Sequence, residues 1–325
     1  MKVLLKSRSK IFGNLWLIGT GYMGLEYAKV LLYLKKEFLV IGRNKVSAKK
    51  FQNEIGISPQ TGGLSNALKN NIPPKVAILA VSHEELFQCT KQLIFNGCKK
   101  ILVEKPAGIN LSEIEELVEL KNKHDVEIFV AYNRRFFESV YAVKEKIQEE
   151  KGISSLSFEF TEFGFKLKNN TKINKDIMKR WLIFNSSHVI DLVFFLIGTP
   201  KDNEFECFQS GEADWHNPTK FHGAGISCNN IPFSYKADWE APGRWGIEIL
   251  TKFNRYILSP MEELHCIKLG EFQRKKINLK NSFKDEFKPG LLDQCKSFFL
   301  SEEKNLCSLD THLKHFKYYI KIAGY

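Results

Sequence analysis

The sequence predicts an α/β protein with a doubly wound parallel Rossmann sheet in residues 1–131 and an α+β domain with a large, mainly antiparallel sheet in 132–325. Three observations carry this reading. The chain has 325 residues, enough for two cores at roughly 150 residues per domain. Short apolar runs alternate with helix-spaced segments up to about residue 132. Beyond that point the texture changes to strand-like runs with few helices between them.

The elements follow in order. Leu15-Trp16-Leu17-Ile18 is a continuous apolar run of the kind a strand buried on both faces shows. Tyr27, Val30, Leu31 and Leu34 then recur at helical spacing until Lys35-Lys36, and Phe38 to Ile41 forms a second strand. Val76 to Val81 is a strand, Glu84 to Asn96 a helix, Ile101 to Val103 a strand and Leu111 to His124 a helix, with Ser112 and Glu115 as its expected capping box. Val126 to Tyr132 adds a strand. In the second half, Ser155 to Phe165, Glu204 to Gln209 and Trp245 to Thr251 read as strands, and His188 to Leu196 as an apolar helix. Ala241-Pro242-Gly243 reads as the turn of a hairpin between Tyr235–Trp239 and the Trp245 strand.

Composition excludes several classes. With 43% hydrophobic and 26% charged residues the chain is neither disordered nor collagen-like. The seven cysteines are scattered, with no pair at metal or redox-motif spacing, so they are expected to be reduced, mostly buried thiols, and no metal is expected. Glycines interrupt the first apolar stretch and Asp191 the second, so neither a signal peptide nor a membrane span is expected and the chain reads as cytoplasmic. Residues 1–50 carry eleven basic and two acidic side chains, an excess suited to nucleic acid, an anionic surface or small phosphorylated molecules. No nucleic-acid motif accompanies it.

The glycine pattern favours the last of these. Gly19-Thr20-Gly21-Tyr22-Met23-Gly24 stands after a strand and before a helix, where glycines let a pyrophosphate approach the helix N-terminus. A glycine-rich turn with no ligand is the alternative. At the end of the second strand, Gly42-Arg43-Asn44-Lys45 has no carboxylate for ribose hydroxyls but has cations for a 2′-phosphate, favouring NADP, with NAD as the other possibility. Arg43 stacking on adenine, or facing solvent, is the competing reading.

The strand Ile101-Leu102-Val103 ends in Glu104-Lys105-Pro106, and His188-Val189-Ile190-Asp191 lies on the later helix. With the glycine motif, these resemble the glucose-fructose oxidoreductase/inositol dehydrogenase (Gfo/Idh/MocA) family over essentially the whole chain. The resemblance implies an NAD(P)-dependent oxidoreductase acting on a hydroxyl or keto carbon of a sugar, sugar derivative or nucleotide sugar. It implies Lys105 as the catalytic acid/base, Glu104 near the nicotinamide ribose, Pro106 fixing the strand end, and His188 as a catalytic or substrate-binding residue. Ser82 and His83 would line the cofactor cleft, a polar loop being the alternative. Asp191, sharing a helix face with His188, would orient it. Asn133 and Arg134, with Arg135, would hold a substrate or else form salt bridges. The family's helix carries an aspartate four residues before the histidine, where this chain has Phe184, and Asn185 is the neutral substitute. That departure motivates an alternative: a catalytically impaired dinucleotide-binding protein acting as a sensor or partner subunit. A homodimer or homotetramer with a small-molecule carbohydrate partner, and no nucleic acid or membrane, completes the expectation.

Overall fold

The computed structural model describes residues 14–169, 173–279, 286–300 and 303–325. The chain forms two compact units, Met1–Tyr132 with Phe283–Leu313, and Asn133–Ser282 with Lys314–Tyr325. Sequence reading assigned everything after 131 to the second domain; the structure groups Phe283–Leu313 with the first unit.

The first unit is built on a six-stranded sheet of β1 (Leu15–Ile18), β2 (Leu39–Ile41), β3 (Val76–Leu79), β4 (Lys100–Val103) and β5 (Glu127–Val130), with β14 (Cys307–Ser308) at its edge. The order is β14-β5-β4-β3-β1-β2, parallel throughout except where β14 runs antiparallel to β5. All four residues of β1 are buried because helices cover both faces and strands flank both edges, with Leu17 opposite Val40 and Ile78. The helices are α1 (Tyr22–Tyr33), α2 (Lys45–Ile55), α3 (Gly63–Asn70), α4 (His83–Phe95) and α5 (Leu111–His124), with α10 (Leu291–Leu300) against α1. Strand order reverses between β1 and β3, so the chain leaves their carboxyl ends in opposite directions and opens a crevice there.

The capping box of α5 lies two residues before the expected Ser112–Glu115 pair. Asn110 Oδ1 accepts from the Glu113 backbone N–H at 2.9 Å, and the Glu113 carboxylate accepts from the Ile109 N–H at 2.7 Å. The helix starts at Leu111, so Ser112 is its second residue and donates its hydroxyl to Asn110 at 2.7 Å.

The second unit carries an eight-stranded sheet of β6 (Ser155–Phe160), β7 (Pro200–Ser210), β8 (Lys220–Ser227), β9 (Pro232–Asp238), β10 (Trp245–Leu250), β11 (Asn254–Leu258), β12 (His265–Lys268) and β13 (Lys275–Lys276). Its helices are α6 (Glu138–Glu149), α7 (Gly164–Lys168), α8 (Lys175–Met178) and α9 (Ser187–Ile197); α11 (Leu309–Ala323) is divided between the units at residue 313. The sheet order, β13-β12-β11-β10-β6-β9-β8-β7, overturns the expected hairpin. β6 lies between β9 and β10, parallel to the first and antiparallel to the second, so Ala241-Pro242-Gly243 carries the chain past the end of β6. A non-local strand took the place that sequence proximity suggested for a neighbour. β6 itself stops at Phe160 rather than running to Phe165. Its alternation buries Leu156, Phe158 and Phe160 under the apolar helix α9, and Phe160 packs 5.6 Å from Phe221, centroid to centroid.

All seven cysteines are free thiols, four of them buried. Among the described residues no helix is long and apolar enough to cross a membrane. Asn110→Ala is expected to cost about 1 kcal/mol of stability and Ser112→Ala less than about 0.5 kcal/mol. Urea denaturation of the two variants checks where the helix is capped.

Candidate functional site

The glycine loop is shaped by close backbone approach. Gly19 has φ +123°, and a Cβ on it would lie 2.1 Å from the Ala80 carbonyl oxygen. A Cβ on Gly24, inside α1, would lie 2.1 Å from the Gly19 carbonyl oxygen. Both positions therefore admit glycine only. Gly21 differs: it is the exposed N-cap of α1, and a Cβ there would meet nothing within 4 Å. No side chain caps α1 and no acidic residue stands in its first turn, so the N–H groups of this turn face outward with the positive end of the helix dipole. A pyrophosphate fits this cradle.

Around the loop, the Thr20 hydroxyl donates to Ser47 Oγ at 2.9 Å, and Asn44 caps α2 by accepting from the Ser47 N–H at 2.9 Å. Arg43 is exposed after β2 and pairs with Glu85 at 3.3 Å. Tyr22 is 64% exposed, with the Lys288 ammonium 4.9 Å from its ring centroid, and Met23 is half-buried.

Two strands from β1 along the sheet edge, β4 ends in Glu104 and Lys105, both half-buried. Tyr27, fully buried on α1, donates its hydroxyl to Glu104 Oε1 at 2.8 Å. Desolvation nevertheless raises the Glu104 pKa, against the opposing pull of Tyr27, Lys105 and Lys288. The Lys105–Pro106 peptide is cis. His312 Nε2 sits 2.8 Å from the Pro106 carbonyl oxygen, which requires the proton on Nε2 and leaves Nδ1 to accept from Tyr132 at 3.4 Å. Exposed Ser82 precedes α4, and His83 opens it. Burial and then the Lys105 charge push His83 down to about 4, so it is neutral at pH 7. The first unit thus gathers the glycine loop, Arg43, Asn44, Ser82, His83, Glu104 and Lys105 at the carboxyl edge of one parallel sheet.

The other expected residues belong to the second unit. Asn133 is buried in the 3-10 turn Asn133–Phe136, and Arg134 lies 4.7 Å from the Trp245 ring centroid. Arg135, 3% exposed, donates to both Asp191 oxygens at 2.7 Å, and His315 Nδ1 lies 3.1 Å from Asp191 Oδ1. Fully buried, Asp191 holds Arg135 and His315 within the unit's core. Burial alone would raise its pKa, but Arg135 and His315 hold it at about 2. Burial lowers the His315 pKa despite the carboxylate. His188 is 8% exposed, with its ring 6.3 Å from that of Trp245.

Sequence reasoning missed Glu162. Residues Leu182–Ser186 form a π-helical turn leading into α9, a distortion frequent at functional sites. Phe184 is buried there, and the carboxylate beside this turn is Glu162, two residues beyond β6. It accepts from Asn185 Nδ2 at 2.9 and 3.1 Å and from the Ser186 hydroxyl at 2.7 Å. Sequence carried no signal for it: Thr161 and Glu162 lie beyond β6, and their burial is a property of the fold.

Residues 14–132 match a family described as an oxidoreductase family with an NAD-binding Rossmann fold. Over that stretch the chain is similar to the Gfo/Idh/MocA oxidoreductase family. The mouse trans-1,2-dihydrobenzene-1,2-diol dehydrogenase is 26% identical over 157 residues, 47% of this chain and 46% of that protein, so the match spans a little under half the relative's length. Whole-chain similarity comes from solved structures. A putative NADPH-dependent oxidoreductase from Desulfitobacterium hafniense superposes with a TM-score of 0.77 at 16% identity, covering 96% of this chain and 94% of that one. A levoglucosan dehydrogenase in complex with NADH gives 0.77 at 15% identity, with 96% of each chain covered. At such identities these structures establish a shared fold.

Asp191→Ala should destabilise the protein by about 3–5 kcal/mol, because it leaves the buried Arg135 charge without its partner. The lowered Asp191 pKa sets the sign of the pH dependence. Its contribution is complete above the ordinary value of 3.8 and is lost as pH falls through about 2. Acid unfolding monitored by circular dichroism should therefore lose, in the variant, the part of the transition lying between those values.

Proposed function

We propose that this protein is an NAD(P)-dependent oxidoreductase that moves a hydride between nicotinamide and a hydroxyl or keto carbon of a sugar, sugar derivative or nucleotide sugar. The observation that carries the reading is the glycine cradle sharing one sheet edge with Lys105, whose charge is felt by His83. The two named relatives support an alcohol substrate, since a dihydrodiol and levoglucosan both carry secondary hydroxyls. Bound nicotinamide supplies the hydride acceptor or donor. Lys105 takes the hydroxyl proton during oxidation and returns it during reduction. Glu104, steadied by Tyr27, holds the ribose hydroxyls. On the second unit we assign His188 to catalysis or substrate binding, and Asn185, Asn133 and Arg134 to substrate binding.

For the cofactor we favour NADP. No carboxylate ends β2, and exposed Arg43 and Lys45 are placed to receive a 2′-phosphate. Glu85 competes for Arg43. The protein is proposed to work in the cytoplasm as a homodimer or homotetramer on a small-molecule substrate.

Phe184 favours a second reading, a dinucleotide-binding sensor or partner subunit without turnover. Nicotinamide fluorescence titrations separate the possibilities. NADPH should bind more tightly than NADH, and Arg43→Ala should weaken NADPH about tenfold or more while sparing NADH. Binding of neither nucleotide by folded protein would refute both readings. Lys105→Ala should retain nucleotide binding and lose at least about 100-fold in turnover. Tight nucleotide binding with no turnover of any sugar or polyol by the wild type would favour the second.

A further inference from the structure

The helix α9 begins with an arrangement that the proposed reaction does not explain. Glu162 is 5% exposed, yet no basic side chain pairs with it among the described residues. Its partners are neutral: the Asn185 amide, donating to both carboxylate oxygens, and the Ser186 hydroxyl. The buried indole nitrogens of Trp181 and Trp245 also favour the ionised carboxylate without closing a hydrogen bond to it. A buried carboxylate held by neutral donors alone is a costly arrangement, so its geometric consequence matters.

That consequence concerns Asn185. An isolated asparagine amide can flip, exchanging its donor and acceptor edges. Here Nδ2 donates to both oxygens of the Glu162 carboxylate, at 2.9 and 3.1 Å, which fixes the nitrogen on that side and leaves Oδ1 on the other edge of the amide. Asn185 is half-exposed, whereas residues 182–184 and 186–188 are buried. The one accessible polar side chain of the π turn is thereby locked as a hydrogen-bond acceptor.

We propose that Glu162 is a positioning residue that locks Asn185 as an acceptor for a ligand hydroxyl and holds the π turn from which His188 follows. The inference rests on the proposed oxidoreductase reading for the identity of the ligand as an alcohol, but the lock itself does not. The ligand class is a hydroxyl donor rather than a carboxylate or phosphate, which an acceptor edge would repel. Burial raises the Glu162 pKa, so protonation releases the lock at a higher pH than an ordinary glutamate would allow. The charged or titratable groups around the neighbouring Trp245 are Arg134 at 4.7 Å, Arg244 at 6.0 Å and His188 at 6.3 Å, measured to its ring.

Two readouts test this on the full chain. The first is the side-chain amide resonance of Asn185 in protein labelled with 15N-asparagine, assigned by its loss in Asn185→Ala. It should titrate with a midpoint above 4.5, and Glu162→Gln should abolish that titration while NADH or NADPH binding stays unchanged. A resonance that does not move with pH, or that titrates identically in Glu162→Gln, would overturn the lock. Should Glu162→Gln fail to fold, Ser186→Ala serves: it removes one donor to the carboxylate and should move the midpoint upward, an unmoved midpoint counting against the proposal. The second is steady-state kinetics with levoglucosan and trans-1,2-dihydrobenzene-1,2-diol. Glu162→Gln should raise KM about tenfold or more with a smaller fall in kcat, and unchanged KM would refute the ligand role. Absence of wild-type turnover with any alcohol would refute the oxidoreductase reading, while the amide resonance would still decide the lock.

Discussion

The first unit depends on a steric constraint at Gly19. The end of β1, the first turn of α1 and the segment after β3 converge so closely that carbonyl oxygens occupy the places where side chains at Gly19 and Gly24 would begin. This brings α1 down onto the sheet and turns its N-terminal N–H groups toward the crevice at the point where strand order reverses. Tyr27, one turn further along α1, can then reach Glu104 at the end of β4. The glycine loop and the end of β4 are thus connected by one helix, and displacing that helix would disturb both. The glycines contribute no binding energy of their own; they remove the atoms that would keep the backbone segments apart.

The second unit is organised around a different constraint, the burial of charge. Arg135 and Asp191 are both almost inaccessible, joined by two parallel hydrogen bonds, with His315 on the same carboxylate. Desolvating such a pair costs much of what its attraction returns, so apolar replacements of similar volume need not weaken the fold. What a bidentate pair specifies better than apolar contacts is register. Arg135 lies in the first turn of the unit and Asp191 in the middle of α9, so their geometry fixes how far along the sheet the helix lies. Asn185 and His188 at the start of α9 inherit that placement.

How far the sequence revealed this varied with the range of the interactions involved. The first unit was legible because each fully buried strand is a contiguous apolar run and each helix follows its strand directly; Leu15–Ile18 and the glycine loop could be placed from a dozen residues. The helix carrying His188 was equally visible from its apolar character. Distant pairings were not. The hairpin expected at Ala241-Pro242-Gly243 failed because β6, some eighty residues earlier, inserts between the two strands. β14 is two residues long and owes its place to pairing with β5, with no pattern of its own. Asp191 was expected to serve its helix neighbour His188, whereas its strongest partner, Arg135, lies 56 positions away. Nothing in the sequence marked Glu162, whose burial comes from the fold.

The two buried or half-buried glutamates show why chemistry is harder to read than fold. Glu104 and Glu162 each follow a strand, each is raised in pKa by desolvation, and each is held by a neutral hydroxyl or amide. Their surroundings separate them. Lys105 and Lys288 counter the desolvation of Glu104, favouring a carboxylate near cations and suited to accepting hydrogen bonds from sugar hydroxyls. Glu162 relies on the dipoles of Ser186, Asn185, Trp181 and Trp245, so its charge state is bound to the arrangement of those neutral groups. A change that protonates Glu162 therefore alters hydrogen bonding as well as charge: one oxygen still accepts, but the other becomes a donor able to engage Asn185 Oδ1, so the amide is no longer held to one orientation. Residue type alone is the same at both positions, and the difference in what each glutamate can do arises entirely from partners brought in by the fold.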